Sequence, residues 1–196
     1  TTGLTACTEI IEAETACSVD GDPNENSNSG FKGTGYVNTD NIVGASVTYL
    51  ISSDLDQQIE LGYRFANGGT TPRPGTITVN GLTGNTIPLP TTSSWTKWES
   101  AKMTIDLKKG LNKIEITATT AGGLANIDHF TIYESSVTST PCTDCNGDFL
   151  GTAIINDCGA CSGGLTNVDP DEAPTWYADA DNDGLGDPAV SQQSCG

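Results

Sequence analysis

The chain has 196 residues, room for one ordinary domain and a smaller companion, with 25 Asp and Glu against 8 Lys and Arg for a net charge of −17. That charge opposes binding to nucleic acid or to an anionic membrane, and makes polyanions poor partners without a bridging metal. No apolar run approaches the roughly 18 residues of a membrane span, and no basic-plus-apolar signal segment opens the chain at Thr1, so a soluble mature segment is expected.

The acids and bases are unevenly placed. Residues 1–141 carry 15 acids and all 8 bases, a balance of −7, whereas residues 142–196 carry ten acids and no base. The Ser/Thr stretch ending in Pro141, followed at once by clustered cysteines, reads as a junction. The expected organisation is a first domain over 1–136, a linker over 137–141 and a Cys-rich acidic spacer over 142–196.

Along the first domain, Glu12 and Glu14 are two apart, and on a strand they would present two carboxylates to one face. Gln58 to Phe65 alternates so that Ile59, Leu61, Tyr63 and Phe65 share a face, and Met103, Ile105 and Leu107 repeat the pattern, as do Ile114 with Ile116 and Phe130 with Ile132. Gly, Asn and Pro clusters separate these runs, and no comparable window keeps a helical period. Eight or more short strands in about 140 residues predict an all-β sandwich, and long irregular connections such as Asp20 to Lys32 favour a jelly roll. Asp128 has the parity of Phe130 and Ile132, which aims an acid inward where it must be paired. Acidic oxygens of this kind suit calcium; the alternative is an exposed acidic edge.

Sugar rings offer an apolar C–H face and a fringe of hydroxyls, so a binder needs a flat aromatic surface with a few fixed amides. Tyr36 lies in a Gly-flanked turn that argues against deep burial, Trp95 and Trp98 lie in one loop, and Asn126 precedes the last strand. Each has a structural alternative: a Trp that opens a strand packs in the core, Asn126 caps a turn, and Arg73, a further candidate for the ligand, stays solvated. His129, the single histidine, reads as strand packing, and no Ser/His/Asp arrangement or phosphate loop is discernible.

Seven cysteines complete the pattern: Cys7 and Cys17 in the first domain, Cys142, Cys145, Cys158, Cys161 and Cys195 in the tail. A 55-residue tail poor in large apolar residues needs staples, and disulfides in an extracellular, oxidising compartment are preferred to the zinc reading of its two C-x-x-C pairs. Cys7 and Cys17 are expected to pair with each other, and Cys195 to be the orphan. Asp179, Asp181, Asp183 and Asp187 surround Gly184 at positions 1, 3, 5 and 9 of a calcium-type loop, but Val190 stands where an EF-hand has its bidentate Glu. The loop resembles a thrombospondin type 3 calcium repeat; the alternative is a disordered acidic linker.

Ile11-Glu-Ala-Glu14, Gly33-Thr-Gly-Tyr-Val37, Gly62-Tyr-Arg-Phe-Ala-Asn-Gly68, Val79-Asn-Gly81, Trp95-Thr-Lys-Trp98, Leu107-Lys-Lys-Gly-Leu-Asn112 and Asn126-Ile-Asp-His-Phe130 occur in order. Over residues 9–135 the chain resembles carbohydrate-binding modules of families 6 and 35. The resemblance implies a β-jelly roll with structural calcium, a non-catalytic module that holds an attached glycoside hydrolase or lyase on its polysaccharide. It implies sugar contacts from Tyr36, Trp98 and Asn126, and a calcium site at Glu12, Glu14 and Asp128. A secreted monomer is expected, with agarose-type marine galactan as the first ligand and xylan or another β-glycan behind it. The competing expectation is an adhesion or matrix protein with a calcium-dependent, lectin-like domain.

Overall fold

The alternating runs become the strands of two facing sheets. The computed structural model describes residues 9–134, 136–149, 151, 153–156 and 159–167, with the backbone of 175–177 and 191–193. In chain order the strands are β1 (Glu9–Glu12), β2 (Ser18–Val19), β3 (Gly21–Glu25), β4 (Tyr36–Thr39), β5 (Ser46–Ser53), β6 (Gln57–Ala66), β7 (Gly75–Val79), β8 (Leu82–Ile87), β9 (Glu99–Leu107), β10 (Gly110–Ala118), β11 (Asn126–Ile132) and β12 (Val137–Ser139). One sheet runs β3-β4-β11-β6-β9 with β1 beside β11; the other runs β12-β5-β10-β7-β8 with β2 beside β5. Every strand pairing is antiparallel. This is the expected all-β jelly roll.

The two inner faces interdigitate into one core. Ile59, Leu61, Tyr63, Phe65, Ile105, Leu107, Phe130 and Ile132 come from the first sheet, and Val47, Tyr49, Ile51, Ile77, Ile114 and Ile116 from the second, all buried. The Tyr49 hydroxyl donates to the Ala13 carbonyl at 3.1 Å, so the polar tip of a buried ring is satisfied. Burial of such rings and aliphatic chains, at ~1.5–3 kcal/mol each relative to exposure, is what holds the sandwich together.

Three local expectations change. Residues 137–139 are not linker but strand β12, paired with β5 from Val137↔Ser53 to Ser139↔Ile51; Val137 is buried, and burial of one apolar side chain draws the segment into the sheet. The compact division of the chain lies at Cys142/Thr143. Residues 21–25, read as irregular, form β3 along β4 with a shift of register between Asp22 and Glu25. Finally, Cys17 bonds to Cys142 across 125 residues of chain rather than to Cys7, so the disulfide ties the two ends of the jelly roll instead of closing a ten-residue loop. Cys7 lies outside the described residues.

In the second unit, β13 (Ile154–Ile155) pairs with β14 (Cys161–Ser162), β15 (Thr175–Tyr177) pairs with β16 (Ser191–Gln193), and Cys145 bonds to Cys161. The C-x-x-C pairs therefore do not act as a zinc set, because Cys142 and Cys161 are each in a disulfide with a residue outside their own pair. Asp179, Asp181, Asp183 and Asp187, with Cys158 and Cys195, lie outside the described residues.

Candidate functional site

The connections at one set of strand ends enclose a cleft of about 220 Å³ lined by Asn28, Asn38, Asn41, Arg73, Trp95 and Asn126. Several of the lining residues are held by their neighbours. Trp95 lies on Gly68, where an added Cβ would sit 2.4 Å from the Trp95 nitrogen and 2.5 Å from its ring, so only glycine admits this approach. The fully buried Asn67 fixes the same loops, donating from Nδ2 to the carbonyls of Thr71 (3.0 Å) and Leu89 (3.1 Å). Arg73 Nη1 donates to Asn41 Oδ1 at 3.1 Å, and its guanidinium stands 4.9 Å from the centre of the Trp95 ring. Burial draws the Arg73 pKa below the usual arginine value, though a guanidinium remains charged at any physiological pH. The cleft thus combines a cation, an indole and four amides, a set suited to hydroxyls and to a single carboxylate.

Of the five residues expected at a sugar site, Trp95, Arg73 and Asn126 converge here. Tyr36 does not offer a stacking face. It is fully buried on β4, its ring 5.7 Å from Phe31 and 5.1 Å from Trp98. Its hydroxyl donates to Glu25 Oε1 at 2.8 Å and accepts from Asn28 Nδ2 at 2.8 Å. The flanking glycines that suggested an open turn instead admit neighbours, since a Cβ on Gly35 would collide with Asn24. Trp98 is half-buried, does not line the cleft, and donates from Nε1 to the Ser29 carbonyl at 3.0 Å. Asn28, Asn38 and Asn41 were missed because an asparagine in a connection reads equally as a turn residue.

Glu25 accepts from both the Tyr36 hydroxyl and Asn38 Nδ2. Hydrogen bonds, that of the Ser27 hydroxyl above all and those of Tyr36 and Asn38 after it, hold its carboxyl below the ordinary glutamate value against the opposing effect of burial.

A second cluster gathers the acids. Ligand atoms of Glu12, Asp128 and His129 lie within 4.8 Å of one another, the only such group of three or more among the described residues. Glu12 ends β1 opposite His129. Glu14 is not on a strand as expected but in a 3-10 turn, Ala13–Thr15. The two glutamates nonetheless meet over Gly33, whose φ is +64°; a Cβ there would lie 2.9 Å from Glu12 Oε2 and 3.1 Å from Glu14 Oε1. Asp128 is fully buried at a β-bulge between Ile127 and His129, which aims it off the regular strand pattern. It is not unpaired: Arg64 Nη1 donates to Oδ2 and the Lys32 amide to Oδ1 at 2.9 Å. Burial first, then the neighbouring Glu14 charge, raises the Glu12 pKa. Glu12 Oε2 and Glu14 Oε2 are buried with no hydrogen-bond partner. Two buried carboxylate oxygens without partners are costly alone and fit a bound cation. His129 Nδ1, which sequence reasoning left to packing, stands 3.2 Å from Asp128 Oδ2 without the alignment of a hydrogen bond.

Comparisons with known proteins place the jelly roll in a family. The family described as carbohydrate binding module (family 6) matches residues 12–134. Endo-1,4-beta-xylanase B and alpha-L-arabinofuranosidase C of Cellvibrio japonicus (strain Ueda107) are each 41% identical over 128 residues, 64% of this chain and 21% and 20% of theirs. The match thus spans about a fifth of those relatives. Among solved structures, the family 35 module of Cellvibrio japonicus Abf62 superposes with a TM-score of 0.66 at 37% identity, covering 69% of this chain and 99% of that one. A Xyl-CBM35 in complex with a glucuronic acid containing disaccharide gives 0.64 at 37% identity, covering 68% and 98%.

Proposed function

Since the chain belongs to the carbohydrate binding module (family 6) family, we propose that it holds a catalytic domain of the same secreted protein on a plant-type polysaccharide, and that its preferred sugar carries a carboxylate. The module itself is non-catalytic. The observation that carries the ligand class is Arg73, a cation held on Trp95 among four cleft amides. A uronate would pair with the guanidinium while its ring lies against the indole and its hydroxyls meet the amides. The net charge of −17 does not forbid this, because one uronate is not a polyanion and exposed charges beyond ~8 Å are screened at physiological ionic strength. The relative solved with a glucuronic acid containing disaccharide supports the same class.

The acidic cluster is the place for calcium, with Glu12, Glu14 and Asp128 as its side-chain ligands. A bound cation would neutralise carboxylates that otherwise repel; Gly33 keeps space for the two glutamates, and Arg64 and the Lys32 amide hold Asp128 in orientation. Secretion is supported by the disulfides Cys17–Cys142 and Cys145–Cys161, which persist in oxidising compartments.

Affinity electrophoresis over glucuronoxylan, unsubstituted xylan, agarose and pectin tests the proposal. Retardation by the glucuronate-bearing xylan beyond that by the neutral chains is expected. Stronger retardation by agarose would return the neutral galactan to first place, and no retardation by any glycan would contradict the reading.

A further inference from the structure

The connection from Asn28 to Thr34 is gripped at almost every residue, and the grips come from both sites. At its start, Asn28 lines the glycan cleft and its backbone N–H and Nδ2 donate to the Tyr36 hydroxyl at 3.2 and 2.8 Å. Next, the Ser29 carbonyl accepts from Trp98 Nε1 at 3.0 Å, and the Gly30 carbonyl accepts from Arg64 Nη2 at 3.0 Å. Further on, the Lys32 amide donates to Asp128 Oδ1 at 2.9 Å, and the Thr34 amide and hydroxyl donate to Glu14 Oε1 at 3.0 and 2.7 Å. One end of the connection therefore belongs to the cleft and the other to the acidic cluster.

Arg64 is the side chain that joins the two. It projects from near the C-terminal end of β6, opposite His129 on β11 and Ser100 on β9. One guanidinium nitrogen is on the buried Asp128 carboxylate, the other is on the Gly30 carbonyl, and the plane lies 5.4 Å from the centre of the Trp98 ring. A planar fork with fixed donors can meet all three at once; a lysine ammonium keeps the charge but not the geometry. Gly30 has φ +96°, and a Cβ on it would lie 3.0 Å from Trp98 Cδ1, so the backbone passes close against the indole there.

We propose that Arg64 is a positioning residue of the glycan cleft: by spanning Asp128, the Gly30 carbonyl and the Trp98 face, it transmits the order of the acidic cluster to Asn28. This rests on the reading of the cleft as the glycan site. Its consequence is that loss of the cluster's order weakens glycan binding although no ligand of the cluster lines the cleft.

The test compares Arg64→Lys and Arg64→Met with the unaltered protein, at a temperature well below the melting transition of each. Amide exchange over residues 28–34 should rise in both variants while exchange in the β10 core stays unchanged, a local response that general loss of stability would not produce. Calorimetry with a glucuronic acid containing disaccharide should show binding about tenfold weaker in Arg64→Lys, the worth of one charge-assisted hydrogen bond. Unchanged exchange in residues 28–34, or wild-type affinity in Arg64→Lys despite faster exchange, overturns the proposal. Absence of binding by the unaltered protein is a different result: it contradicts the glycan reading, and with it any role of Arg64 in the cleft, while the exchange rates still decide whether Arg64 holds the connection.

Discussion

The two units of the chain are stabilised by different means. In the jelly roll, alternation along β6, β9 and β10 places one apolar residue in two on an inner face, and those side chains are almost all buried. In residues 143–167, Phe149, Ile155 and Leu165 are exposed, and Ala153 is the buried apolar residue among those described. There the Cys145–Cys161 bond and the Asp144 carboxylate, which accepts from the amides of Asn146, Asp148 and Ala153, take the place of a core. A short segment with few large apolar side chains cannot offset its ordering entropy by burial, so covalent and polar staples substitute.

The largest effect should follow from cutting the Cys17–Cys142 bond, the one covalent tie among the described residues of the core-held unit. Replacing both Cys17 and Cys142 by serine should cost about 4 to 5 kcal/mol, because the bond closes a 125-residue loop. Denaturant titration followed at the jelly-roll strands measures this. Cys145→Ser should leave that transition in place, and a shift of it would erase the contrast between the units.

Cation removal comes next. At a calcium level a hundred times the dissociation constant, linkage is worth about 2.7 kcal/mol. EDTA should therefore lower the melting temperature of the jelly roll, and Glu14→Gln should reduce the response. Substitutions at Asp179 to Asp187 should not alter it. No shift with EDTA would mean that Glu12, Glu14 and Asp128 form no metal site.

Trp95→Ala should weaken glycan binding by about 2 kcal/mol, the scale of a buried aromatic anchor, with little loss of fold stability. Tyr36→Ala, by contrast, should chiefly destabilise, since that ring is buried. Calorimetry paired with thermal melts separates the two.

The smallest effect concerns pH. The folded pKa of Glu25 lies below its unfolded value of about 4.5, so its contribution is complete above that value and is lost as pH falls through the folded pKa. Glu25→Gln should cost about 1 kcal/mol near neutrality, less than a fully buried charged hydrogen bond because the residue is only partly buried. Melts from pH 7 down to pH 3 should show this difference shrinking below about pH 4.5. A difference that persists at pH 3 would mean that the Glu25 charge does not supply it.

Much of the sandwich was legible because period-two alternation is a local property: Ile59 to Phe65 and Ile114 with Ile116 reveal their inner face without knowledge of their partners. The acids of the cation cluster were also legible in identity, but not in cause. Glu12 and Glu14 meet because a 3-10 turn curls over Gly33, and Asp128 is aimed by a bulge, neither of which parity describes. Tyr36 was misread because glycine neighbours signal close approach as readily as exposure. Val137 looked like linker because a three-residue strand is shorter than any period can reveal. Cys17 found Cys142 because strand pairing brings together residues far apart in sequence, which spacing alone does not encode.

The most direct test of the account is a calorimetric comparison of a glucuronic acid containing disaccharide with its carboxyl-reduced neutral counterpart, on the unaltered chain and on Arg73→Ala. Tighter binding of the acid by the unaltered chain and near-equal binding of the two by Arg73→Ala are expected. Equal affinities in the unaltered chain, or a preference for the acid that survives loss of Arg73, would contradict it.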